Sequence, residues 1–237
     1  MDLLTLHRNL EDFGLEIFTL NDVIKITGQK KEVVKTTLSR LTKQSKIFRL
    51  KTKYYTLRQI ENKFKLQKLF PDTYISLHSA LEYYGSTTQR FNNLDLIAKN
   101  LLKKRNIENT EIYFHKVKRG LFFGYEKVQM QNTEVFISNI EKTIIDCTYF
   151  SSIIYLTEID DFIKKNKEKI NLELISIYLN KIASSVLSKR VGYLLELNNL
   201  HLKGIRINNK YESLNKNLSK TGIKNEKWKL IINENLR

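Results

Sequence analysis

Residues 19–28 read TLNDVIKITG, residues 29–46 QKKEVVKTTLSRLTKQSK and residues 47–57 IFRLKTKYYTL. Thr19 followed three residues later by Asp22 is a capping box with Asp in place of Glu, so a helix starts just after Thr19. Leu20, Val23 and Ile24 form its apolar face, and Gly28 supplies a turn where a positive φ is cheap. In the next run Val34, Leu38 and Leu41 follow the i, i+4, i+7 pattern and must face inward. The opposite face then carries Glu32, Thr36, Ser39, Arg40 and Lys43, flanked by Lys31 and Lys35. Residues 47–57 read as a two-stranded basic hairpin. Ile47, Leu50 and Tyr55 are its core contacts, while Arg49, Lys51 and Lys53 project outward. A helix, a turn, a second helix and a hairpin in this order describe a winged helix-turn-helix. That fold places one helix in the DNA major groove and lays the hairpin along the backbone. Upstream, Leu3, Leu6, Leu10 and Phe13 recur at helical spacing and describe a leading helix that covers the back of the other two.

A charged helix face is more often simply solvated than functional, and the adjoining basic hairpin is what tips this one toward DNA. Charge placement agrees. The chain carries a formal +16 over 237 residues. Residues 30–68 hold 13 Lys or Arg against 2 acids, and residues 203–237 hold 9 against 3. Residues 69–202 are nearly balanced, with 17 against 15. A general bias toward Lys would raise the count everywhere and does not explain this unevenness, which is a nucleic-acid footprint. The single cysteine, Cys147, excludes an internal disulfide and suits a reducing cytoplasm. The N-terminal residues carry no signal-peptide pattern. The most apolar run, residues 143–156, is interrupted by Asp146 and falls short of the ~20 residues that span a bilayer, so no membrane contact is expected.

Beyond the hairpin, residues 59–70 read as a charged helical connector, and Pro71 marks a boundary. A short helix capped by Ser76 runs to Tyr84 and stops at Gly85. Residues 94–98 form a strand, and 111–117, 122–130 and 133–137 alternate as paired strands turning near Arg119-Gly120 and Gln131-Asn132. Ser138 and Glu141 form a capping box for a helix through Tyr149, and residues 155–165, 172–181 and 185–197 are three further helices. The fold class is α+β: an N-terminal winged helix-turn-helix, then a mixed domain with a small, mostly antiparallel sheet and a C-terminal helical cluster. The division is residues 1–68 for the DNA-binding unit with its connector, 69–200 for the second domain, and 201–237 for a basic tail.

Three motifs in the second domain carry a family resemblance: SLHSALEYYG at residues 76–85, FISNIEKTIIDC at 136–147, and KRVGYLLE at 189–196. In this order, behind a winged helix, they resemble the AbiEi-type antitoxins of type IV toxin–antitoxin systems over most of residues 1–200. The resemblance implies a phage-defence antitoxin that is also a transcriptional autorepressor. Such a protein binds inverted repeats of double-stranded DNA in its own promoter and opposes a nucleotidyltransferase-like toxin, without requiring a stable complex with it. The alternative is a stand-alone winged-helix regulator whose second domain senses a ligand or partner.

The DNA-binding candidates are therefore Lys31, Lys35, Thr36, Ser39, Arg40 and Lys43 on the reading helix, with Arg49, Lys51 and Lys53 on the wing. The motif residues His78, Glu141, Asp146, Arg190, Gly192, Tyr193 and Glu196 are read as structural. Glu141 is a cap, Asp146 pairs with a base such as Arg190, and Gly192 allows close helix packing. The four His and one Cys show no zinc spacing and no phosphate-cradling loop is present, so neither metal nor cofactor is expected. Gly85-Ser86 followed by Asp95 is similar to a nucleotidyltransferase signature, but Ile97 stands where that chemistry needs a second metal-binding carboxylate. No enzymatic activity is expected.

Overall fold

Thr19 starts its helix as the sequence demands. Its hydroxyl accepts the Asp22 N–H at 3.2 Å, its own N–H donates to Asp22 Oδ2 at 2.7 Å, and Gly28 ends the helix at φ 65°. In the computed structural model, which describes residues 3–87 and 92–236, this helix is α2 (Leu20–Thr27). It lies between α1 (Leu3–Asp12) and α3 (Lys31–Lys43). Leu6, Leu10, Phe18, Val23, Val34, Leu38, Leu41 and Ile47 close a core of their own around these helices. Phe13 does not join it: the residue lies past the end of α1 and is exposed. The hairpin β2 (Phe48–Lys51) and β3 (Tyr54–Thr56) gains a third strand that periodicity did not reveal, β1 (Ile17–Thr19). It pairs antiparallel with β3, Ile17 opposite Thr56, and gives the order β1-β3-β2. Three residues are too few for alternation to show.

The next segment differs most from its sequence reading. Residues 63–69 form a 3-10 helix, and Lys65, Leu66, Gln67 and Leu69 are buried in it. The Gln67 side-chain amide donates to the carbonyls of Phe70 and Thr73 and accepts the Phe136 N–H at 3.0 Å. Lys65 is enclosed with Glu16 Oε2 at 2.5 Å and Gln131 Oε1 at 2.6 Å. Its charge signalled solvent, yet an acid from one unit and an amide from the other take it inside. The expected boundary at 68/69 thus falls within a packed element.

A six-stranded sheet follows, built from β4 (Thr73–Ile75), β5 (Asn93–Ala98), β6 (Arg105–Ile107), β7 (Thr110–Lys116), β8 (Tyr125–Met130) and β9 (Thr133–Ser138). Its order is β6-β7-β5-β4-β9-β8, with three antiparallel pairings and two parallel ones, β4 with β9 and β5 with β7. The hairpin at Gln131-Asn132 forms as read. The one near Arg119-Gly120 does not: Val117 and Leu121 are buried there, and the chain passes to the opposite edge of the sheet. Alternation identifies a strand but not its partner.

Each face of this sheet has its own cover. Ile75, Leu94, Leu96, Ile112, Val135 and Ile137 meet Leu66 and Leu69 of the 3-10 helix, together with Ile17, Leu50 and Tyr54 of the N-terminal unit. Tyr74 and Ile97 point the other way. They join a helical core drawn from α4 (Leu77–Tyr83), α5 (Ile140–Tyr149), α6 (Leu156–Asn166), α7 (Leu172–Ile182) and α8 (Ser185–Leu197). The expected basic tail is part of that core. Leu214, Trp228 and Leu230 are buried in it, on or beside a small sheet of β10 (Glu212–Ser213), β11 (Ile223–Asn225) and β12 (Leu230–Ile232). The cations surrounding these few apolar residues hid their role. Among the described residues, no helix is long and apolar enough to cross a membrane.

Candidate nucleic-acid interface

Helix α3 buries Val34, Thr37, Leu38 and Leu41, which fixes what its other side offers. Lys31, Lys35, Thr36, Ser39, Arg40 and Lys43 are all exposed there. Val33 is 47% exposed and falls on the same face as Thr36 and Arg40, an apolar residue that lies off the buried stripe and that sequence reading passed over. No side chain caps the first turn of α3. Three residues, Gly28 to Lys30, separate α2 from α3, and Thr27, the last residue of α2, donates its hydroxyl back to the Val23 carbonyl at 2.7 Å.

The three cations expected on a wing differ in what they touch. Arg49, Lys51 and Lys53 are all exposed, Lys53 in the two-residue turn at φ 75°. Of the three, Lys51 turns toward the sheet domain. Its ammonium donates to the Leu69 carbonyl at 3.0 Å and sits 4.1 Å from the centre of the Phe70 ring. Burial lowers its pKa, and the nearby Arg105 guanidinium lowers it further. The side chain expected to contact phosphate fastens the β2–β3 hairpin to its neighbour.

The motif residues form the interior of the second domain. The cap of α5 is Asn139, which accepts the Lys142 N–H at 2.9 Å. Ser138, one residue too early, bonds Thr143 and Ser76. Glu141 accepts the Asn171 N–H at 2.8 Å and so ties α5 to the start of α7. Asp146 does not pair with Arg190. Its partner is Lys142, fully buried one turn earlier on the same helix, and Tyr74 and Ser76 each donate to its second oxygen at 3.0 Å. An i, i+4 pair needs no long-range knowledge, so this partner was available to sequence reading. Arg190 donates instead to the Ser213 carbonyl at 3.0 and 2.8 Å. Tyr193 packs half-buried on the helical core. Gly192 faces the Trp228 indole rather than a helix, and the indole donates to Glu196 at 2.5 Å.

Asp95 and the histidines meet in a way that spacing did not suggest. Asp95, 3% exposed, lies 2.8 Å from His115 Nε2 and accepts Asn93 Nδ2 at 3.0 Å. His78 Nδ1 is 3.8 Å from its other oxygen, and His78 Nε2 is 3.7 Å from Glu158. Ile97 is fully buried beside them. Among the described residues, no group of three or more His, Cys, Asp or Glu is disposed to hold a metal ion.

No family model matches the chain, and no curated protein matches it. Among solved structures it is similar to the crystal structure of the RV2827C protein from Mycobacterium tuberculosis. The TM-score is 0.56 at 8% identity, over 91% of this chain and 85% of that one. At that identity the similarity concerns the fold alone.

Proposed function

We propose that this chain is a DNA-binding antitoxin and transcriptional autorepressor, with a winged helix-turn-helix at its N-terminus, that opposes a nucleotidyltransferase-like toxin. The observation that carries the DNA-binding part is the exposed face of α3, where six polar or cationic side chains stand over a closed three-helix core. Arg40 and Thr36 supply hydrogen bonds to base edges, and Val33 an apolar contact of the kind a thymine methyl takes. Lys31, Lys35 and Lys43, with Arg49 and Lys53 of the wing, supply charge to phosphates, and the uncapped first turn of α3 offers N–H groups to another. The antitoxin part rests on the three motifs that resemble the AbiEi family, whose residues here are committed to holding the second domain together. Nucleotide transfer is no part of the proposal, because Asp95 is engaged by His115 and Ile97 offers no carboxylate.

The second reading, a winged-helix regulator with a ligand-sensing domain, is favoured by one observation, a cavity between the wing and the sheet. A gel shift with the chain's own upstream DNA tests the main reading. The wild type should retard that duplex in preference to random sequence. Arg40→Ala should weaken specific binding by ~1–3 kcal/mol, the range of a good base contact, and change random-sequence binding less. Equal losses on both duplexes would make Arg40 a phosphate contact. No preference by the wild type would remove the autorepressor.

A further inference from the structure

Where the wing meets the sheet domain, the structure holds a cavity of about 220 Å³. Three cations, Lys51, Lys103 and Arg105, line it together with Asn100 and the rings of Phe70 and Phe114. The two rings meet edge to face, centroids 4.9 Å apart, and make one apolar wall. The acid on the rim, Asp72, is 79% exposed at its side chain and leans 3.9 Å from Lys99. Among the described residues that line it, three cations stand against one acid, all four of them exposed, so the cavity is net positive and open to water. Lys51 spends one of its three N–H groups on the Leu69 carbonyl and keeps two. Gathering cations against an apolar wall costs free energy, and the lowered pKa of Lys51 reports that cost. A bound anion would offset it. The volume lies below the ~300–1,000 Å³ common for small-molecule sites, which limits the occupant to something compact.

We infer that this cavity binds a compact phosphomonoester bearing a flat ring, its phosphate held by Lys51, Lys103 and Arg105 and its ring against Phe70 and Phe114. Lys51 gives the site its consequence. It belongs to β2 and also lines the cavity, so an occupant acts directly on the contact that fastens the wing. Binding itself does not depend on the DNA reading; only its effect on the wing does.

Titration calorimetry on the full chain, with phenyl phosphate as the probe, tests the site. One equivalent should bind, more tightly than inorganic phosphate, because the ring adds apolar contact. Arg105→Ala and Lys103→Ala, both at exposed positions, should each weaken binding by about tenfold or more, the scale of a lost charge-assisted hydrogen bond. Lys181→Ala, a cation that does not line the cavity, should leave it unchanged. Absence of saturable binding would overturn the inference, as would equal losses in all three variants. Displacement of phenyl phosphate by random duplex DNA, with Arg105→Ala weakening that duplex, would give the cavity to a DNA phosphate instead. A failed gel shift alongside normal phenyl phosphate binding would remove the DNA reading and leave the site.

Discussion

Gly192 has no room for a side chain. A Cβ added to it would lie 2.1 Å from the six-membered ring of Trp228, so the indole would have to leave its seat. Gly192→Ala should therefore destabilise the protein by ~1–3 kcal/mol, the usual cost of overpacking. Trp228 is the single tryptophan and is 4% exposed, so its emission should shift to the red, and a urea titration followed by that emission measures the loss. Unaltered emission and midpoint would mean that the ring has another place to go. Glu196 adds a pH dependence at the same spot. Burial pushes its carboxyl up, but hydrogen bonds from Lys227 and Trp228, with the Lys227 charge, outweigh this and hold it below the usual carboxylate value of 4.5. A depressed carboxylate pKa contributes stability that is complete above the unfolded value and is lost as pH falls through the folded one. The Trp228 contact should thus loosen below about pH 4.5. Glu196→Gln should flatten the acid limb of the stability profile; an identical limb would place the acid sensitivity elsewhere.

The hairpin of β2 and β3 divides its cations by what they touch. Arg49, Lys51 and Lys53 are all exposed, but the Lys51 ammonium is tied to the Leu69 carbonyl. Under the DNA-binding proposal, Arg49→Ala and Lys53→Ala should each weaken binding to every sequence and reduce the salt slope by about one ion. Lys51→Ala should leave the slope nearly unchanged and loosen the wing instead, as faster amide exchange in β2 and β3. A full unit of slope lost with Lys51 would mean that its ammonium leaves Leu69 for DNA. Strand alternation made Lys51 outward-facing, and it is, but no local pattern says that a second domain stands outside. The same limit explains what else sequence reading found and missed. Caps and helix stripes are local, so Thr19, Asp22, Gly28, the α3 stripe and the bounds of α8 were legible. Strand partners are set by distant residues, so the parallel pairing of β5 with β7 was not. Lys65, Lys142 and Lys189 carried the signal of surface residues and are buried, each with polar partners brought by the fold. The meeting of Asp95 with His78 and His115 was hidden for the same reason, because it needs the pairing of β5 with β7 and the packing of α4 against them.

At the scale of the whole molecule, the question is where the chain can be cut. The N-terminal unit has its own core, yet Ile17 belongs to the core beneath the sheet, and Glu16 neutralises the enclosed Lys65. Residues 63–69 are fixed more firmly to the sheet than to the unit before them. Leu66 and Leu69 cover one sheet face, and Gln67 satisfies backbone groups at Phe70, Thr73 and Phe136. A fragment of residues 58–237 keeps this cover and loses only Ile17, Leu50 and Tyr54 from that core, together with Glu16. A fragment of residues 69–237 bares the face to water, losing the apolar cover of Leu66 and the Gln67 bonds to Phe70, Thr73 and Phe136. We expect the 58–237 fragment to unfold cooperatively in urea, with a lower midpoint than the full chain, and the 69–237 fragment to lack a cooperative transition. Comparable midpoints for the two would reduce residues 63–69 to a linker. Under the proposed function, the longer fragment expressed from a foreign promoter should protect cells from the neighbouring toxin while failing to repress its own operator. If it folds and does not protect, then neutralisation, under that proposal, requires the N-terminal unit as well, to which Lys65 and Ile17 join the sheet.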